Sequence, residues 1–266
     1  MALFSRTYRY GVSYIHTLLM QFKECIRKYL ERHHYASLAV KTVLFDMDGV
    51  LYDSMPAHAI SWERTVSELG IPCEANEFYQ YEGQTGRQTI SQMFERGFGR
   101  PSTDEENKEI YARKTHYFTQ CGPAPVMNGA AEVLNKTVAA GFTPVLVTGS
   151  GQASLIDKLQ HNFPGIFTRE RMVTAMDVVK GKPDPEPYLR GLQKTGATPR
   201  EAIVIENAPL GVRAAVAAGI FTIAVNTGPL SEQQLYDEGA DIVLSGMDEL
   251  CSRYKELLEA IRHTGI

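Results

Sequence analysis

The chain has 266 residues, of which 44% are hydrophobic and 22% charged, and its net charge at pH 7 is −4. This is ordinary globular composition, enough for one large domain or two smaller ones. Residues 1–40 carry a net charge of +4 and the remainder −8, so the acidic main body argues against nucleic-acid binding.

Membrane and secretory signals are not evident in the sequence. No apolar run approaches the ~18 residues of a membrane span. The four cysteines are scattered, without CxxC pairs or zinc-ligand spacing, namely Cys25, Cys73, Cys121 and Cys251. We therefore expect a reduced, cytoplasmic protein.

The N-terminal segment, residues 1–36, predicts an amphipathic helix. Its apolar side chains recur every three or four positions at Ile15, Leu19, Phe22, Ile26 and Leu30. This helix is expected to pack on the body of the protein. A membrane surface, an unknown partner, or translation starting at Met20 are the alternatives.

The stretch VLFDMDGVLYDS, residues 43–54, places two aspartates after a short apolar strand. Side chains two positions apart on an extended segment point the same way, so Asp46 and Asp48 would crowd like charges. Such a pair is stable when a cation lies between the carboxylates or when one of them holds a proton.

Residues 55–124 lack buried-strand patterns and contain helix-like stretches such as HAISWERTVSELG. The segment ends in the stiff sequence Cys-Gly-Pro-Ala-Pro at residues 121–125. We interpret it as a small helical domain inserted after the first strand, leaving residues 37–54 and 125–266 as the core domain.

From residue 143 onward, apolar strand-like runs alternate with helical patterns. The runs are TPVLVTGS, EAIVIEN, FTIAVNTG and ADIVL. Continuous Val- and Ile-rich strands are typical of a parallel sheet covered on both faces. The predicted fold is therefore α/β, a doubly wound Rossmann-like parallel sheet with an inserted α-helical cap.

Ligands of such sheets bind beyond the carboxyl ends of the strands. The polar residues expected there are Asp46 and Asp48, then Thr148, Gly149 and Ser150, then Glu206 and Asn207, with Lys182 in the loop KGKPDPEPY. Each alone has an ordinary explanation, such as a helix cap or a solvated loop lysine. Together they predict one site.

Oxygen ligands of this kind suit Mg²⁺, and Asp46, the Asp48 backbone carbonyl, Glu206 and Asn207 are the expected donors. Thr148 with its neighbouring amides, and Lys182, would bind phosphate oxygens. Asp46 could then attack phosphorus, while Asp48 protonates the leaving oxygen and later activates water.

Four blocks, DMDGVLYDS, VTGSG, KGKPDPEPY and VIENAPLG, resemble the haloacid dehalogenase superfamily in its β-phosphoglucomutase-like branch with a helical cap. The resemblance runs from about residue 37 to the C-terminus. It implies the same roles for Asp46, Asp48, Thr148 and Lys182, a Glu206/Asn207 metal pair, and a cap that closes over a small phosphorylated substrate.

Three departures bear on the substrate. Asn207 stands where the family usually has aspartate. In the cap loop YEGQTGR, Glu82 and Gly86 replace the lysine and arginine with which sugar-phosphate mutases hold a second phosphate, and Arg87 is shifted by one. We expect Glu82 to reach the Mg²⁺ on cap closure and to restore the charge lost at Asn207.

The ENAPLG block and the cap loop are also similar to a bacterial inorganic pyrophosphatase of this superfamily. The sequence therefore predicts a Mg²⁺-dependent phosphohydrolase, with pyrophosphate the leading substrate. A β-phosphoglucomutase or sugar-phosphate phosphatase is the alternative, and a non-catalytic binding scaffold is a second one. His58 would contact Asp48, as a histidine does in the mutases, or would be a packed helix residue.

Overall fold

The computed structural model describes residues 20–150 and 155–265, with side chains of the second range described from residue 158. Its centre is a parallel sheet with the strand order β3-β2-β1-β4-β5-β6. The strands are β1 Thr42–Phe45, β2 Thr143–Val147, β3 Met172–Val173, β4 Ala202–Glu206, β5 Phe221–Val225 and β6 Ile242–Leu244. The predicted doubly wound α/β fold is confirmed.

Helices surround this sheet. They are α1 at residues 20–33, α2 Met55–Ser67, α3 Gly86–Phe98, α4 Asp104–Gln120, α5 Ala130–Ala139, α6 Leu155–Asn162, α7 Glu186–Thr195, α8 Pro209–Ala217, α9 Glu232–Asp237 and α10 Met247–His263. A 3₁₀ helix, Ala75–Tyr81, links α2 to α3.

The central strand β1 shows why the sequence folds in this way. Val43 and Phe45 belong to the hydrophobic cluster that includes α1, α5 and α10, whereas Leu44 belongs to the cluster that includes α7 and α8. Successive strand side chains point to opposite faces, so an apolar run is buried on both sides.

Strand β3 is the one strand of the described sheet that sequence patterns did not predict. It has only two residues, Met172 and Val173, which pair with Leu146 and Val147 of β2 at the edge of the sheet. A two-residue strand is too short for any hydrophobic periodicity to appear.

Helices α2 to α4 follow β1 and enclose a separate hydrophobic cluster that includes Trp62, Val66, Phe78 and Ile110. We refer to residues 55–120 as the cap. Helices α3 and α4 each begin with a capping box, at Thr85 and Thr103. Division of the chain into separate domains at the boundaries given above stays a prediction.

Helix α1 packs on the body of the protein. Ile26 and Tyr29 are fully buried in the large core cluster. The Tyr29 hydroxyl donates to the Gly219 carbonyl at 2.8 Å, and Arg32 pairs with Asp241 at 2.5 Å. The predictions for residues 1–19 lie outside the described residues. Among the described helices, none is long and apolar enough to cross a bilayer.

Candidate active site

The predicted polar residues meet at the carboxyl ends of β1, β2 and β4. Asp46 directly follows β1, Thr148 follows β2, and Glu206 ends β4 with Asn207 next in the chain. These strands are neighbours in the sheet. Strands β2 and β3 lie on one side of β1, and β4 to β6 lie on the other. This is the topological switch point, where ligands of doubly wound sheets bind.

Lys182 lies at the centre of this group. Its side chain is only 1% exposed, and its Nζ donates to Asp46 Oδ1, to Glu206 Oε1 at 2.6 Å and to the Val147 carbonyl at 3.3 Å. A solvated loop lysine is therefore excluded. The ammonium group lies beside the expected nucleophile, where a phosphoryl group would also lie.

Burial and the opposite charge of the partner act in opposite directions on the pKa values of Asp46 and Lys182. Burial raises the pKa of Asp46, the neighbouring carboxylates raise it further, and Lys182 only partly offsets these effects. Burial by itself lowers the pKa of Lys182, but Asp46 and Glu206 outweigh it and raise that pKa well above its usual value. The lysine therefore stays protonated at neutral pH.

Glu206 already uses both of its carboxylate oxygens. Oε1 accepts from Lys182 and from the Tyr188 hydroxyl, and Oε2 accepts from the backbone amides of Asn207 and Ala208 at 2.7 and 2.8 Å. A carboxylate has about four acceptor sites, so these four hydrogen bonds use all the acceptor sites of Glu206. Metal binding by Glu206 stays a prediction; its contacts favour anchoring Lys182 and the start of α8.

The Thr148 loop follows β2, the strand that pairs with β1. The Thr148 amide donates to the Val173 carbonyl at 2.9 Å, and its hydroxyl accepts from the Ser150 amide at 3.0 Å. Gly149 and Ser150 line the cavity described below. The loop therefore has a defined turn at the place where phosphate oxygens are expected.

Asp48 contacts two residues at the junction of the core and the cap. Its Oδ1 accepts from the Ser54 hydroxyl at 2.5 Å and lies 3.2 Å from His58 Nε2. Ser54 precedes α2 and His58 is in its first turn. The structure thus places His58 against Asp48, as the sequence comparison with mutases implied.

Lys114 is a site residue that sequence reasoning missed. It is 2% exposed, lines the cavity, and its Nζ lies 2.6 Å from His58 Nδ1. The ammonium must donate here, so His58 Nδ1 accepts and Nε2 carries the hydrogen directed at Asp48. Hydrophobic periodicity could not reveal it, because Lys114 and Asn107, which are buried on α4 together with Ile110, are polar residues.

Three pKa shifts follow from this chain of contacts. Burial tends to raise the pKa of Asp48, but His58, Ser54 and Lys114 outweigh it and hold it at about 2. Burial lowers the pKa of Lys114 to about 8. Burial, and then the charge of Lys114, lowers the pKa of His58. At neutral pH we therefore assign an ionised Asp48, a neutral His58 and a charged Lys114.

Glu82 brings the cap loop to the core. It is buried, and its Oε1 accepts from Asn207 Nδ2 at 3.0 Å. Burial, followed by the charges of Asp46 and Glu206, raises its pKa well above the usual value. A solvated loop glutamate is therefore excluded.

Magnesium fits these residues. The buried Asn207 Oδ1 has no hydrogen-bond partner within the described residues, and the crowded carboxylates of Asp46, Asp48 and Glu82 surround the same region. Nowhere in the described ranges do three His, Cys, Asp or Glu side chains form a preformed metal cage. Mg²⁺ commonly takes one or two carboxylates and completes its shell with water and phosphate oxygens.

Arg87 does not reach the site in this structure. Its guanidinium pairs with Asp104 at 2.6 Å, and 70% of its side chain is exposed. The neighbouring Gly86 provides no basic group either, and any side chain at that position would collide with the Tyr111 ring. The expected substrate contact of Arg87 is therefore not supported.

The cap and the core enclose a cavity of about 70 Å³ between them. Of the predicted residues, it is lined by Asp46, Asp48, His58, Glu82, Gly149 and Ser150. Trp62 and Tyr81, which pack in the cap cluster, also line it. A drug-sized ligand needs a pocket of several hundred Å³, so this one suits a compact group.

The chain is similar to several known proteins. Residues 43–225 match the haloacid dehalogenase-like hydrolase family. The chain is 32% identical to hexitol phosphatase A of Escherichia coli K12 over 79% of this chain and 93% of the relative. It is 23% identical to the β-phosphoglucomutase of Bacillus subtilis 168, over 81% and 97%.

A solved structure from Bacteroides vulgatus, described provisionally as a β-phosphoglucomutase, is also similar. It is 51% identical in sequence, with a TM-score of 0.89, and the match covers 92% of this chain and 99% of that one.

Proposed function

Since the chain belongs to the haloacid dehalogenase-like hydrolase family, we propose that it is a Mg²⁺-dependent phosphohydrolase working through an aspartyl-phosphate. The contact of the Lys182 ammonium with buried Asp46 supports this most directly. It prepares one carboxylate and one positive charge for a phosphoryl group at the switch point of the sheet.

In the first step, Asp46 attacks phosphorus, and the bond from phosphorus to the leaving oxygen breaks. Lys182 and the Thr148 loop hold the phosphoryl oxygens, and Asp48 delivers a proton to the leaving oxygen. Asp46, the Asp48 carbonyl, Asn207 and Glu82 would hold Mg²⁺, which when bound would offset negative charge on the phosphoryl group. In the second step, Asp48 takes a proton from the water that hydrolyses the aspartyl-phosphate.

The pKa of Asp48, held at about 2, suits the second step because the carboxylate is ionised at neutral pH. For the first step Asp48 needs a proton. The Nε2 hydrogen of His58, 3.2 Å away, can pass to Asp48 while the Lys114 ammonium, 2.6 Å from Nδ1, gives a proton to that nitrogen. His58 then stays neutral, and Lys114 is left as the amine.

The substrate has two candidates. The names of the relatives support phosphorylated carbohydrates better than pyrophosphate, and they support a mutase outcome as well. The cavity of about 70 Å³, the acidic Glu82 in the cap loop and the outward Arg87 favour a compact phosphate such as pyrophosphate.

The deciding experiment measures phosphate release with Mg²⁺ from pyrophosphate, β-glucose 1-phosphate, glucose 6-phosphate and other sugar phosphates. Asp46→Asn is the blank. Preference for pyrophosphate would support the compact substrate. Preference for sugar phosphates, or conversion of β-glucose 1-phosphate to the 6-phosphate, would assign the carbohydrate class. Equal turnover by Asp46→Asn would refute the proposed nucleophile.

A further inference from the structure

We propose that Gly149 and Gly181 determine substrate size, because their missing side chains let the cap loop approach the core closely enough for Glu82 to reach Asn207. The inference rests on the proposed phosphohydrolase function and adds the residues that limit its substrate. Both glycines belong to the core; Gly149 meets the cap loop at residues 83–84, and Gly181 meets residues 85 and 88 at the start of α3.

Gly149 lies against the backbone of the cap loop. A Cβ at this position would be 2.8 Å from the Gln84 carbonyl oxygen and 3.0 Å from that of Gly83. Both contacts involve main-chain atoms, so no change of rotamer can relieve them. The loop itself would have to move away.

Gly181 meets the start of helix α3. A Cβ there would collide with Gln88 Oε1 and lie 2.8 Å from Thr85 Cγ2. The Gln88 side chain is not free to yield, since its Oε1 accepts from the Thr85 amide at 2.9 Å in the capping box. Relieving the contact would break the capping box of α3 or displace the helix.

The contact that depends on this close approach is the hydrogen bond of 3.0 Å from Asn207 to Glu82. Restoring ordinary van der Waals distance at Gly149 or Gly181 requires a shift of about 0.6–1 Å, which would stretch this bond beyond ordinary hydrogen-bond length. The cavity beneath the loop would grow by the same movement.

The test compares Gly149→Ala and Gly181→Ala with Gly228→Ala. Gly228 is a matched control, because it too lies on a core loop facing the cap, but its Cβ would meet Tyr79 at an ordinary 3.4 Å. Thermal unfolding of each variant establishes that it is folded. The two test positions meet different atoms, so each variant tests the inference separately.

The first readout does not depend on any substrate. Trp62 is the chain's one tryptophan, is 9% exposed and lines the cavity. Acrylamide quenching of its fluorescence should increase roughly twofold in both test variants and stay unchanged in the control, because opening the cap exposes the ring.

The second readout is the ratio of kcat/KM for pyrophosphate to kcat/KM for glucose 6-phosphate. Taking a ratio cancels any loss of chemistry common to both substrates. The ratio should fall about tenfold in the test variants and remain unchanged in the control, because specificity is a difference in transition-state binding.

Unchanged quenching in both test variants, or increased quenching with an unchanged ratio, overturns the inference while leaving the phosphohydrolase intact. A wild-type protein that releases no phosphate from any substrate refutes the proposed function instead, and the quenching result then still reports on the cap contact.

Discussion

The residues of the site derive their properties from burial together with a few specific partners. Lys182 and Lys114 are both almost fully buried lysines, yet their pKa values shift in opposite directions. Lys182 contacts the carboxylates of Asp46 and Glu206, whereas Lys114 contacts the imidazole of His58. Burial alone disfavours the charged form, and only adjacent negative charge reverses that effect.

Lys114→Met tests the chain of contacts from Lys114 through His58 to Asp48. We expect kcat to fall about 10²-fold, because His58 loses the donor that orients its ring. In the wild type, activity should decline as pH rises through about 8, where Lys114 deprotonates. That alkaline decline should be absent from the residual activity of the variant. A pH–rate profile of both proteins checks this.

The same substitution has a predicted effect on stability. The pKa of Lys114 is lowered in the folded state, so the unfolded chain binds more protons above about pH 8. Stability therefore rises with pH between the folded and unfolded pKa values, and a charged Lys114 costs stability at pH 7. Lys114→Met should leave Tm at pH 7 equal or higher.

Lys108→Met, on the exposed face of α4, is the control for both tests and should change neither activity nor Tm. If the activity of Lys114→Met still declined above about pH 8, the alkaline decline could not be assigned to the deprotonation of Lys114.

At the level of elements, α1 is part of the core although it precedes the first strand. Its buried face packs against β5 and α10, with the Tyr29 and Phe221 ring centroids 5.4 Å apart and Arg253 bonded to Gln21 at 3.0 Å. The apolar stripe seen in the sequence is the face that the core covers.

Ile26→Ala tests this packing. Removing a fully buried side chain should lower the free energy of unfolding by about 3 kcal/mol, since a cavity is left in the core. Chemical denaturation measures the loss. Lys28→Ala, on the exposed face of the same helix, should be nearly neutral. The kcat per folded molecule should not change. An unaltered unfolding midpoint in Ile26→Ala would mean that α1 does not contribute to the core.

On the scale of the whole molecule, the cap and the core make one site only together. The core provides Asp46, Asn207 and Lys182, and the cap provides Glu82 and Lys114. The contact of 3.0 Å from Asn207 to Glu82 joins them. A carboxylate delivered by the cap would make metal affinity depend on closure.

Glu82→Gln keeps an oxygen acceptor for Asn207 but removes the charge. We expect the apparent Mg²⁺ affinity to fall about tenfold, since a hard cation prefers carboxylate to amide oxygen. Preference for compact over larger phosphates should fall with it. Calorimetric Mg²⁺ titration and the substrate panel measure the two effects, with the exposed cap residue variant Glu105→Gln as control. Unchanged metal affinity and preference would eliminate Glu82 as a ligand.

The sequence by itself determined the α/β fold and every strand of the described sheet except β3, whereas the domain boundaries and the roles of the site residues stay predictions. Apolar runs mark buried parallel strands, and the carboxyl ends of such strands meet at one edge, so Asp46, Thr148 and Asn207 could be placed together. Only the tertiary structure decided the direction of the cap side chains. Arg87 turns outward to Asp104, whereas Lys114 is buried against His58.

The hydrogen-bond partners of Glu206 were also decided only by the tertiary structure. They are Lys182, Tyr188 and the start of α8. Such outcomes depend on which partners, distant in sequence, compete for a charged group once the chain is packed. Local periodicity carries no information about that competition.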